Sequence, residues 1–138
     1  MEKGKPLFEI LGDNLELELE DKLTYITVKW EQPGFHWWSQ ATGNRKYLGY
    51  RHRHLFKYSF TTQVFHDDRE IEFHDLQDHL SSFTARRTEH EGRSCEMLAE
   101  EIILEFAQNV NKTVDKKRFV KCLVSEDGEV EATVECYI

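Results

Sequence analysis

From Tyr50 to Phe65 the chain alternates with a period of two. His52, His54, Phe56, Tyr58, Phe60, Thr62 and Val64 share one register. Arg53, Leu55, Lys57, Ser59, Thr61 and Gln63 share the other. In an extended chain, residues two apart point to the same face. The run therefore predicts a strand with one apolar, inward face and one largely polar face. Two imidazoles stand at the head of the inward face. Imidazole is a common ligand for zinc and related metals, so His52 and His54 side by side are candidate ligands.

The rest of the chain supplies strands and helices to go with it. Leu23 to about Gln32 alternates Ile26, Val28 and Trp30 with Thr27, Lys29 and Glu31, a second strand. Pro33-Gly34 is expected to interrupt it as a bulge or turn. His36 falls just beyond, in Phe35-His36-Trp37-Trp38. Ser39 to Lys46 reads as a loop. After a turn at His66-Asp67-Asp68-Arg69, Phe73, Leu76, Leu80 and Phe83 make a short helical stripe. His74 and His79 are five apart, a poor spacing for a shared ion, and read as surface residues. Thr84 to Arg93 reads as a polar loop. Ser94 is a good N-cap, and Leu98, Ala99, Ile102, Ile103, Phe106 and Val110 give the next helix one apolar face. Asn111 to Lys117 is a polar linker. Arg118 to Glu126 is a strand with Val120, Cys122 and Val124 inward and Glu126 at its end. Asp127-Gly128 is a tight hairpin signal. The last strand puts Val130, Ala132, Val134, Cys136 and Ile138 on one face.

In residues 1–22, Leu15, Leu17 and Leu19 alternate with Glu16, Glu18 and Glu20, predicting an extra N-terminal edge strand. Residues 23–138 then form one domain. The order strand, strand, helix, helix, strand, strand predicts a two-layer α+β unit, an antiparallel sheet with two helices on one face.

Composition narrows the function. A net charge of −8 argues against coating nucleic acid or an anionic membrane, which need a basic surface. No run approaches the length of a membrane-spanning helix. The first residues lack a secretory pattern. Three cysteines without a Cys-x-x-Cys pair read as reduced thiols. Together these lead us to expect a cytoplasmic protein with a small-molecule partner.

The residues resemble the family of 6-pyruvoyl tetrahydropterin synthases and the 6-carboxy-tetrahydropterin synthases of queuosine biosynthesis, which have the tunnelling fold. In that family a first His and a later His-Gly-His bind zinc; here His36 and His52-Arg53-His54 stand in their place. Glu72-Phe73-His74-Asp75-Leu76-Gln77 is similar to the segment entering the family's first helix. Ser94-Cys95-Glu96-Met97-Leu98-Ala99 is similar to the opening of its second. Glu126 matches a Glu that grips the pterin ring. The resemblance covers about residues 23–138. It implies a ββααββ fold, a Zn2+ ion on His36, His52 and His54, a dihydropterin triphosphate or related purine-derived ligand, and a homo-oligomer. Arg45, Lys46, Arg86, Arg87 and Arg93 could meet a triphosphate.

Two departures stand against it. The family's catalytic Cys precedes the His-x-His by four residues, and Leu48 holds that position. The family's Leu-Asp-His segment between the helices has no counterpart. Tyr50, His90 and Cys95 are the candidates to replace the lost proton-transfer groups: His90 for a pKa near neutrality, Cys95 for a helix N-terminus that favours the thiolate. Three functions stay open: a zinc-dependent lyase on a reduced pterin, a binding protein that keeps the pocket without turnover, and a module whose histidines are packed core residues.

Overall fold

A computed structural model describes residues 19–112 and 115–138. The predicted strand of residues 50–65 forms as β2, His52–Val64, and stands at the centre of the sheet. Phe56, Tyr58, Phe60 and Val64 are buried along it, which is the expected inward register. β1, Thr24–Trp37, pairs antiparallel with β2 along its length. β4, Phe119–Glu126, lies on the other side of β2, and β5, Val130–Tyr137, pairs with β4.

β1 does not break at Pro33-Gly34. Phe35 donates its backbone N–H away from β2, to Thr88. The nitrogen of Pro33, two residues earlier, is on that same side, so its ring removes no bond to β2. Gly34 is needed for room. A Cβ there would stand 2.9 Å from the Phe56 ring. The strand therefore runs on through His36, which pairs with His52 rather than lying beyond the strand end.

Two segments read as loops have regular structure. Gly43–Gly49 is a 3-10 helix. Glu89–Glu91 is a short strand, β3, parallel to β1 at Phe35–Trp37. The sheet is thus mixed, in the order β3-β1-β2-β4-β5, not purely antiparallel. Three residues, Glu-His-Glu, are too few to carry a readable alternation. Their pairing comes from the chain passing beside β1, where Gly92 donates to the Trp37 carbonyl.

Helix α1, Phe73–Ala85, starts where the Glu72 carboxylate accepts the Asp75 N–H. Leu76, Leu80 and Phe83 are buried, whereas Phe73 in the first turn is exposed. Helix α2, Cys95–Asn109, is capped by Ser94, whose hydroxyl accepts the Met97 N–H. Leu98, Ala99, Ile102, Ile103 and Phe106 join α1 and the sheet in one apolar core with Val28, Trp30, Phe56, Tyr58, Phe60, Val120, Cys122 and Val124.

Arg118, where the predicted strand begins, is a buried charge just ahead of β4. It is 1% exposed. Its guanidinium pairs with Glu70 at 2.6 Å and donates to the Gln63 carbonyl. The predicted strand in residues 1–22 lies mostly outside the described residues; Leu19, the first described residue, is exposed. No described helix is long and apolar enough to cross a membrane.

Candidate metal centre

The β1–β2 ladder brings three imidazoles together. His36 and His52 are cross-strand partners, and His54 is two residues on along the same face of β2. Ring centroids are 5.4 Å apart for His36–His52, 6.0 Å for His36–His54 and 4.7 Å for His52–His54. One nitrogen from each falls within 4.8 Å of the other two. Two nitrogens on one tetrahedral zinc-sized ion lie about 3.4 Å apart, so small side-chain adjustments close the set around a cation. The three residues could hold a metal ion.

The remaining ring nitrogens are tied down. His52 Nδ1 is 2.7 Å from the Tyr50 carbonyl, and His54 Nδ1 is 2.7 Å from the Asp127 carboxylate. Both partners are acceptors, so each Nδ1 donates, and in the neutral ring the lone pair is then on Nε2. His36 makes a hydrogen bond to the Arg93 backbone. His36 Nδ1 and His52 Nε2 are buried without a hydrogen-bond partner. Unpaired buried acceptors are costly, and a cation between them would satisfy both. Burial chiefly, with His52 and His54 adding repulsion, keeps His36 below the ordinary imidazole value despite Glu126. A neutral ring is the form that binds a metal.

Glu126, at the end of β4, faces this cluster. Its carboxylate oxygens lie 3.6 Å from His36 Nδ1 and 3.7 Å from His54 Nε2. Cys95 lies 3.7 Å from the same carboxylate. A cavity of about 420 Å³ opens beside these groups, bordered by His36, Trp38, Leu48, Arg93, Cys95 and Glu126.

The other sequence candidates divide. Cys95 borders the cavity, but burial first and Glu126 second push its thiol up to about 12, so the expected thiolate at a helix N-terminus does not form. His90 is 3% exposed, with the Phe56 ring 5.1 Å away. Burial, with help from His36 and Arg93, drives it down to about 4 rather than near neutrality, and it does not border the cavity. Tyr50 is exposed and reaches the site through its backbone carbonyl, not its ring. Arg87 lies over the Phe83 ring, and neither it nor Arg86 borders the cavity; Arg93 does. Arg93 also pairs with Glu101. His74 is exposed, and His79 pairs with Glu105 at 2.7 Å away from the cluster.

Sequence reasoning missed the side-chain role of Asp127. An Asp-Gly pair signals a hairpin, and nothing local says that its carboxylate will face a histidine 73 positions away. Compared with protein-family models and with curated proteins, this chain gives no match.

Proposed function

We propose that this protein is a zinc-dependent relative of the 6-pyruvoyl and 6-carboxy-tetrahydropterin synthases, with the ββααββ tunnelling fold, and that it takes a dihydropterin triphosphate or a related purine-derived compound. The observation that carries this reading is the convergence of His36, His52 and His54 with two of their facing nitrogens buried and unpaired. His36, His52 and His54 would hold the ion, and zinc bound there would supply Lewis-acid polarisation of a hydroxyl or carbonyl of a bound molecule. The element order β1, β2, α1, α2, β4, β5 supports the fold assignment, with β3 an addition to the six-element plan.

This chain's own groups would handle the ligand. Glu126 can accept hydrogen bonds from the amide-like edge of a pterin or guanine. From Gln32 to His66 there is no Asp or Glu, while Arg45, Lys46, Arg51, Arg53 and Lys57 fall within that stretch. Of these, Arg51 pairs with Glu89 and Lys57 with Glu31, and none borders the cavity; Arg93, which does, is the cation placed to meet an anionic ligand there.

A specific observation favours a second reading, capture without turnover. Leu48 borders the cavity, Cys95 is held protonated and His90 is buried away from it. A reaction on the pterin side chain needs groups that exchange protons near neutral pH. Incubation of the zinc-loaded protein with dihydroneopterin triphosphate separates the two. Conversion of the compound establishes catalysis; binding with unchanged compound establishes capture; no binding removes the pterin assignment.

A further inference from the structure

We propose that Asp127 is a positioning residue for the metal centre, holding His54 in the one tautomer that leaves Nε2 free to bind the ion. This rests on the metal reading above. Asp127 is clamped to β2 on both sides of its carboxylate. One oxygen accepts the Leu55 N–H at 2.7 Å and the other is 2.7 Å from His54 Nδ1. Its own N–H donates to the Leu55 carbonyl at 2.7 Å. An ionised carboxylate has no proton to give, so His54 must donate from Nδ1. In the neutral ring the lone pair is then on Nε2, the atom 3.7 Å from Glu126 and turned toward the other two rings.

The hairpin by itself does not require this carboxylate. Asp127 and Gly128 have φ of 58° and 76°, the left-handed pair of a two-residue turn. Asn suits the first position at least as well as Asp. What Asn cannot do is accept at both of its terminal atoms. With its oxygen on the Leu55 N–H, it offers an amide N–H to His54 Nδ1. The imidazole must then accept there and move its proton to Nε2, which disables the ligand atom. The carboxylate also makes the ring a stronger base toward a cation, as such outer partners do.

Zinc alone, added to the 138-residue chain, tests this. Affinity is measured by competition with a chromophoric chelator for wild type, Asp127→Asn and Asp127→Ala, and the His54 tautomer is read by nitrogen NMR in the metal-free protein. We expect Asp127→Asn to fold, to lose 10- to 100-fold in zinc affinity, roughly the range for outer-partner changes, and to shift the His54 proton from Nδ1 to Nε2. Asp127→Ala should lose affinity similarly. Unchanged affinity in both variants, with wild type binding zinc, would overturn this inference alone. Wild type that takes up no zinc would remove the metal reading beneath it. An Nε2–H tautomer in the metal-free wild type would overturn the inference even if Asp127→Asn failed to fold.

Discussion

His36 and His52 are direct partners across the β1–β2 ladder, with rings edge to face at 5.4 Å and one unpaired nitrogen on each. Two strands must be in register for this pair to exist, and a one-residue slip would send one ring to the other face. The pair predicts one metal ion per chain. Saturation at about 100 times Kd should raise stability by about 2.7 kcal/mol. His36→Ala and His52→Ala should each abolish stoichiometric uptake, measured by metal analysis after gel filtration. Full uptake by His52→Ala would remove it from the ligand set.

Gly34 carries the close approach that lets β1 run on to His36. Gly34→Ala would drive its methyl into the Phe56 ring, which is 1% exposed and has no room to retreat, with the Thr88 carbonyl 3.3 Å away. Overpacking of this kind costs about 1–3 kcal/mol. Thermal or denaturant unfolding should show that loss. Because Phe56 stacks edge-on against His54 at 5.9 Å, the variant should also bind metal more weakly; unchanged stability would mean that Phe56 has space the structure does not show.

The Glu70–Arg118 pair predicts an acid-dependent stability. Arg118, first among its partners, holds the Glu70 carboxyl below its ordinary value of 4.5. A depressed folded-state pKa means that the stabilisation is fully present above the unfolded value and is lost as pH falls through the folded one. Glu70→Gln should therefore destabilise the protein at neutral pH, by about 3 kcal/mol for removal of one partner from a buried charge. The gap between wild type and variant should stay constant from pH 7 down to about 5 and narrow below 4.5. A gap independent of pH throughout would show that the pair is not the source.

Cys95 should resist alkylation in the native, metal-free protein. Its thiol is pushed up to about 12 by burial and then by Glu126, so little thiolate exists at pH 8. Glu126→Gln removes the negative neighbour while keeping the shape, and should speed Cys95 modification relative to wild type. Mass spectrometry after a timed exposure to iodoacetamide distinguishes Cys95 from the buried Cys122. Equal rates in both proteins would show that burial alone sets the thiol.

Much of this was legible in the chain. The alternation from His52 to Val64 specifies a strand and its inward face, because side-chain direction in an extended chain is a local property. Ser94 and the stripe from Leu98 to Phe106 specify α2 for the same reason. Asp127-Gly128 specifies a hairpin through its left-handed backbone preference. His52 and His54 as candidate ligands follow from their shared face of one strand; His36 joined them only through the resemblance, and its place opposite His52 came from the fold. β3 and the continuity of β1 through Pro33 were not legible, since each depends on which neighbour the strand edge meets.

The roles of individual polar groups were decided only by the fold. His90 and Cys95 look like a titrating imidazole and a reactive thiol until packing removes water from them. Desolvation depends on what covers a group, and that is a property of the assembled core. The same holds for Asp127 and His54, whose pairing exists because β4 lies beside β2 and the turn after it folds back over β2. Local pattern determined the elements and the facing of their side chains; the joining of distant elements determined which nitrogen is free, which acid is charged and where a cation can sit.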